Sequence, residues 1–282
     1  MAGGRNDGAV RAGNTVRRAT GSHTPAVHAL LRHLRAVGFT RVPEVLGIDE
    51  QGREVLTHLD GETIGDRRPW PAWAHSDAAL TATGRWLRAF HDASRSFVPP
   101  PDARWFGDHD ELRPGEVVGH HDAAPYNAVW RPAPSPDDSE AGELVGFIDW
   151  DLAGPALPLR DLAFVALSWV PLTARDTALG DGFAPDTDRP RRLCLLLDAY
   201  GWEGSTADVL DAVRERALQH AAGLRTAAAD GYGPAVALVA EGVADDFERA
   251  VAELDEQTAE LLQDESEPDD SDQTGPGGSG GA

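Results

Sequence analysis

Apolar and polar positions alternate first in a short two-stranded pattern. Ala9-Val10-Arg11 and Thr15-Val16-Arg17 flank Gly13-Asn14, which predicts a hairpin with a two-residue turn. The period then changes. Val27, Leu30, Leu31, Leu34 and Val37 recur at helical spacing, with Thr24 as the expected N-cap, Pro25 in the first turn and Gly38 as the stop. Two strands follow near 43–47 and 54–59, joined by a turn over Asp49–Gly52. The first sixty residues thus read as strand, strand, helix, strand, strand, a small α+β unit.

Asp66–Trp73, rich in Arg, Pro and Trp, reads as a connecting loop. Leu80, Leu87 and Phe90 predict an amphipathic helix over 76–93, and Pro99–Pro101 breaks the chain again. Strands near 128–131 and 144–148 flank a Pro-, Ser- and Asp-rich tip at 132–140, which predicts a second hairpin. Beyond it the pattern is helical: 191–200, 207–228, and a long final helix begun by Pro234. That last stripe runs through Val236, Val239, Val243, Phe247, Val251 and Leu254. After Gln263 the chain turns acidic and then Gly/Ser-rich, a composition that predicts disorder. The expected division is a small lobe over 1–62, a larger lobe over 63–263 and a tail over 264–282.

Composition narrows the function. The 282 residues carry a formal charge of -22. Such a field disfavours nucleic acid and anionic membranes; it suits a cationic substrate or simply keeps the chain soluble. No apolar run approaches the roughly eighteen residues of a transmembrane helix, and no apolar stretch follows the early arginines as in a secretory signal. The single cysteine, Cys194, sits in an apolar run and reads as a buried thiol, so a cytoplasmic location is expected. No lysine occurs anywhere, so every basic side chain is an arginine or a histidine.

The candidate chemistry lies in GHHDAAPYNAVW and, one hairpin later, GFIDWDLAGPALPLRDLAF. Asp122 and Asn127 stand five residues apart in a loop entering a strand, and Asp149 ends the next strand. A hairpin would bring Asp149 beside Asn127. That leaves one carboxylate to face a hydroxyl and two oxygen ligands for a magnesium ion, the requirements of phosphoryl transfer.

His120-x-Asp122-x-x-x-x-Asn127 resembles the catalytic loop of protein-kinase-like enzymes, in the form carried by the aminoglycoside phosphotransferase family. Ile148-Asp149-Trp150-Asp151 is similar to that family's metal-binding strand end, and Asp161-Leu162-Ala163 to a further signature. The resemblance implies an α+β, two-lobed protein-kinase-like fold with a reduced N-terminal β lobe and a mostly helical C-terminal lobe. It implies an ATP-dependent phosphotransferase acting on a hydroxyl of a small molecule. Asp122 would be the base, Asn127 and Asp149 the ligands of Mg2+, Asp151 a substrate contact, and His120 and Asp161 structural. His121 carries no family role and reads as an exposed loop side chain.

In the first lobe, Thr15-Val16-Arg17-Arg18 resembles the strand whose basic residue meets the α- and β-phosphates. Arg17 is the candidate and Arg18 points to the other face; the alternative for Arg17 is a solvated strand arginine. The helix glutamate that should pair with this residue falls at Val27, and no acid lies between Thr24 and Val42. Thr57, His58 and Leu59 resemble the hinge whose backbone holds adenine. His91, in Leu87–His91, reads as a packing residue. Gly3, Gly4 and Gly8 would form a reduced phosphate-covering loop. Two other readings stay open: a catalytically weak kinase-like binding module, and a metal-dependent hydrolase built on His120, His121, Asp122, Asp149 and Asp151. The acceptor is left open among aminoglycosides, neutral sugars, macrolides and other metabolites, with Trp150 and Trp169 as rings that could stack on it. Expected partners are a nucleotide and a small-molecule acceptor; nothing in the sequence speaks to oligomeric state.

Overall fold

The structure, a computed structural model, describes residues 9–65, 67–106, 111–133 and 142–262. The glycines of the expected phosphate-covering loop, most of the 132–140 tip and the acidic tail lie outside those residues.

The first hairpin forms as its pattern dictates. β1 (Val10–Ala12) pairs antiparallel with β2 (Thr15–Arg18), and Gly13 takes the left-handed conformation (φ +63°) that the two-residue turn needs. β3 (Val45–Ile48) and β4 (Glu54–Thr57) complete a four-stranded antiparallel sheet in the order β1-β2-β4-β3. The Asp49–Gly52 turn between them closes with a 2.9 Å bond from the Gly52 N–H to the Asp49 carbonyl. Across β2 and β4 the register sets Val16 opposite Leu56 and Arg18 opposite Glu54.

α1 (Thr24–Ala36) covers this sheet with Leu30, Leu31 and Leu34 fully buried. Its start differs from expectation. Thr24 is the first helical residue rather than the cap, and its hydroxyl instead accepts from the Gly21 N–H at 2.8 Å. Its end differs too: Val37 is outside the helix and 49 % exposed, while Gly38 (φ +91°) turns the chain so that the Phe39 N–H bonds the Leu34 carbonyl.

The rest is mainly helical. α2 (Asp77–Ser94) is capped by the Ser76 hydroxyl and buries Trp86, Leu87 and Phe90, each worth roughly 2 kcal/mol of transfer free energy. Two short sheets underlie the loops of interest: β5 (Val117–Gly119) with β8 (Gly154–Ala156), and β6 (Ala128–Arg131) with β7 (Glu143–Phe147). Trp130 of β6 also pairs backbone to backbone with Glu62, and its ring stacks on Trp73 at 5.4 Å with planes 6° apart. These contacts tie the chain leaving the first sheet to the second hairpin.

α3 (Pro158–Trp169), α4 (Arg175–Asp181), α5 (Arg189–Tyr200) and α6 (Thr206–Ala229) follow. The expected single last helix is two, α7 (Gly233–Ala240) and α8 (Val243–Leu261), because Gly242 at φ +83° breaks the helical path. Cys194 is half-buried rather than sealed in the core.

Candidate active site

The loop after β5 and the end of β7 converge because two residues adopt backbone that L-residues disfavour. His121 and Asp149 both have φ of +63°, two of three such non-glycine residues among those described. Left-handed geometry at such residues costs roughly 1 kcal/mol or more each, so the surroundings must enforce it. For the first loop the enforcing group is Asp161 on α3. Its fully buried carboxylate accepts the His120 and His121 backbone N–H groups at 2.8 Å each and meets His91 Nε2 at 3.1 Å. Burial alone would raise this carboxyl. The His91 hydrogen bond and the neighbouring imidazoles hold it below the ordinary range instead. His91 therefore does more than pack: its Nδ1 also meets the Tyr200 hydroxyl at 2.8 Å. At the second turn, the Ile148 N–H bonds the Asn127 carbonyl at 3.0 Å, which sets Asp149 beside the loop.

Asp122 sits at the mouth of this arrangement. Asn127 Nδ2 donates to its carbonyl at 2.9 Å and to one carboxylate oxygen at 2.7 Å; the Tyr126 hydroxyl donates to the other at 2.7 Å. Desolvation pushes the Asp122 carboxyl up to about 7, with the nearby Asp149 charge adding to the rise and the Tyr126 and Asn127 hydrogen bonds opposing it. With both Nδ2 hydrogens spent on Asp122, the Asn127 amide presents its oxygen elsewhere.

The expected loop side chain His121 is buried, not exposed. Its Nε2 meets the Gly154 carbonyl at 3.0 Å, and its own carbonyl accepts from Arg216 of α6 at 2.9 Å. His120 is buried among Trp86, Phe147 and Trp150. No group of three or more His, Cys, Asp or Glu among the described residues is placed to hold a metal ion. The hydrolase arrangement is thus not assembled. Trp150 and Trp169 are buried too; the Trp169 indole donates to the Ala123 carbonyl and braces the loop rather than facing a ligand.

The small sheet's contribution reverses one expectation. Arg18, not Arg17, reaches the acids. Its Nη1 donates to Asp149 at 2.9 Å, its Nη2 bonds Asp151 and its Nε bonds Glu54. Arg17, on the other face of β2, lies 3.9 Å from Asp49 with its side chain 40 % exposed. Successive strand residues alternate faces, and the face carrying Arg18 is the one turned to the second hairpin. Burial alone would lower the Arg18 guanidinium, yet Asp151, Glu54 and Asp149 together raise it. Asp151 is held between Arg18 and His23 (3.3 Å), an ion pair between the two halves of the molecule. At the expected hinge, Thr57 donates its N–H to the Glu44 carbonyl (2.9 Å) and His58 donates its N–H to the Asn14 carbonyl (2.8 Å). Neither N–H is free to donate to a base.

The characteristic pattern of the phosphotransferase enzyme family matches this chain over residues 15–113 and 102–193. The chain belongs to that family. A relative of this phosphotransferase, the trifolitoxin immunity protein of Rhizobium leguminosarum bv. trifolii, is 36 % identical over 209 residues, covering 71 % of this chain and 73 % of the relative. Among solved structures the fold matches an amicoumacin kinase in complex with AMP-PNP, Ca2+ and Ami (TM-score 0.56, 12 % identity, 89 % and 88 % of the two chains). It also matches a choline/ethanolamine kinase family protein from Mesorhizobium loti (0.52, 17 %, 90 % and 84 %). A third is the GDP complex of aminoglycoside 2'-phosphotransferase-IIIa (0.51, 14 %, 90 % and 91 %). The aminoglycoside phosphotransferase resemblance and the α+β kinase-like fold read from the sequence both hold. No described helix of this phosphotransferase is long and apolar enough to cross a membrane.

Arg18, Glu54, His28, Tyr126 and Arg216 were not singled out in the sequence. Arg18 had a signal, the paired arginines, but nothing local said which face was inward. Glu54 and His28 carried none, because their meaning comes from pairing between distant elements.

Proposed function

We propose that this phosphotransferase moves the γ-phosphoryl group of ATP to a hydroxyl of a small molecule, with Asp122 as the base. The observation carrying this reading is the Tyr126 hydroxyl at 2.7 Å from Asp122. A hydroxyl already donates to this carboxylate, in the geometry an acceptor hydroxyl needs for its proton to be taken. Tyr126 is 41 % exposed, so an incoming acceptor can displace it. Burial raises this carboxyl above the ordinary aspartate range, which strengthens it as a base.

Asp149 and the Asn127 amide oxygen would hold Mg2+. They are hard oxygen donors, and a guanidinium nitrogen of Arg18 already sits as a cation on Asp149. When bound, the ion neutralises charge on the transferring phosphates. Arg18 supplies a second positive group on the same side. Asp122 orients the acceptor, and Asp161 keeps the loop in its left-handed turn. Structural roles for His120 and Asp161 and a small lobe ending near residue 62 fit this reading; Asp151 serves as an Arg18 partner in place of a substrate contact.

The acceptor is a cationic or neutral polyhydroxylated compound, consistent with the acidic body. The name of the immunity-protein relative suggests a toxin or antibiotic, so that phosphorylation confers resistance. The test is a phosphorylation screen with Mg-ATP over aminoglycosides, macrolides, other antibiotics and hydroxylated metabolites, with Asp122→Asn as control. An acceptor phosphorylated by the native chain and not by the variant is the expected result. Turnover of that acceptor undiminished in Asp122→Asn would refute the role of Asp122. Failure of Mg-ATP to bind at millimolar concentration in calorimetry would favour a binding module without catalysis.

A further inference from the structure

The helix glutamate that normally anchors a phosphate-binding cation is missing from α1, where Val27 stands instead. A carboxylate nevertheless meets Arg18, and it comes from the sheet. Glu54 begins β4 directly across from Arg18 on β2, and its side chain is only 3 % exposed. Each of its oxygens has one partner. Oε1 accepts from Arg18 Nε, and Oε2 meets Nε2 of His28 at 2.8 Å. His28 lies on α1, one residue after Val27, with its side chain 6 % exposed. So α1 still reaches the cation, through an imidazole and a carboxylate rather than through its own acid.

We propose that Glu54 and His28 are positioning residues that hold Arg18 as the nucleotide-phosphate-binding cation, a relocated anchor in place of the helix glutamate. This rests on the phosphotransferase reading above. The division of labour follows from the guanidinium fork. Nε is fixed backward to Glu54, while Nη1 and Nη2 point forward to Asp149 and Asp151. A guanidinium fixed at one nitrogen keeps its plane, so its two outer edges stay aimed at the acids and at any phosphate brought to them. A lysine would have to divide the three donors of one nitrogen between anchor and phosphate, whereas the guanidinium gives each its own nitrogen. An arginine here and a carboxylate on the neighbouring strand therefore belong together. His28 closes the second Glu54 oxygen, which water would otherwise have to reach in a nearly sealed site.

The arrangement makes a prediction that a merely stabilising ion pair does not: its loss must be felt by phosphates and not by the base or sugar. The test uses the full chain and compares affinities for Mg-ATP and Mg-GTP with those for adenosine and guanosine, alongside thermal melting. Glu54→Gln and His28→Gln are each expected to weaken triphosphate binding, by about tenfold for Glu54→Gln and less for His28→Gln, with nucleoside affinity unchanged. The double variant His28→Glu with Glu54→Gln, which moves the acid onto α1, is expected to recover part of the loss. If Glu54→Gln does not fold, His28→Gln decides, because it leaves the Arg18–Glu54 contact intact. Folded variants that bind triphosphates as tightly as the native chain, or that lose nucleoside and triphosphate equally, overturn the proposal alone. A native chain that binds neither triphosphate overturns it together with the phosphotransferase reading.

Discussion

The two sides of the candidate site are specified differently. The Asp122 side is written in one contiguous stretch: the proposed base, the amide and the second acid lie within 28 residues, and one buried carboxylate from the following helix shapes the turn. The Arg18 side is assembled from β2, α1 and β4, each contributing one member of a chain of contacts. A site of the first kind follows from local turn geometry. A site of the second kind exists only once sheet register is set. It also tolerates a change of donor, because the sheet can supply the acid the helix lacks.

The contrast can be broken most sharply at Asp122. Asp122→Asn is expected to lower kcat by about 10^3-fold with little loss of folding stability, measured with whichever acceptor the screen finds. Next is the acid that shapes the loop. Asp161→Ala strands two backbone N–H groups and His91, and is expected to cost about 3 kcal/mol or more in urea unfolding. On the other side, Arg18→Ala should weaken triphosphate binding by about tenfold or more and also destabilise, because Glu54 is left buried with one partner fewer. Arg17→Ala should change binding less than about threefold. Equal effects from the two arginines would erase the distinction between the faces of β2.

A smaller effect lies at a residue outside the candidate site and serves as a control. Asp181 is buried and its carboxyl is raised to about 6 by desolvation, partly offset by Arg68 at 3.0 Å. In the unfolded chain it ionises near 3.8. The folded state thus binds the proton more tightly. The stabilisation is fully present below the unfolded value and is lost as pH rises toward 6 and above. Asp181→Asn, which stays neutral, should gain about 1–2 kcal/mol at pH 8 relative to its effect at pH 3.5, without altering nucleotide binding. No pH dependence of the difference would show that Arg68 fully compensates the buried charge.

How far the sequence could be read follows the same division. The first hairpin, α1, α2 and the two strands between Asn127 and Asp149 were legible, since their periodicities are local. The loop carrying Asp122 and Asn127 was legible as a loop entering a strand, and the roles proposed for its residues came from the resemblance of its motif. What was hidden depends on relations between segments. Arg17 and Arg18 differ by one position and point oppositely, and the pattern around them is too short to tell inside from outside. His121 looked exposed because no sequence rule shows Gly154 and Arg216 arriving from later elements. The Thr57 and His58 amides looked available because only the folded sheet and first turn reveal their acceptors. The last helix looked continuous because its apolar stripe passes through Gly242 without losing register, and only a glycine's left-handed backbone breaks it.

The stacked indoles of Trp73 and Trp130 have an optical consequence. Two chromophores stacked 5.4 Å apart with nearly parallel planes couple their transitions, and any in-plane rotation between the rings gives the pair a circular-dichroism signal that lone tryptophans lack. Because Trp130 is also backbone-paired to Glu62, that signal reads the junction between the first sheet and the second hairpin. A change on adding nucleotide, at constant far-ultraviolet ellipticity, would record motion at this junction without any added label.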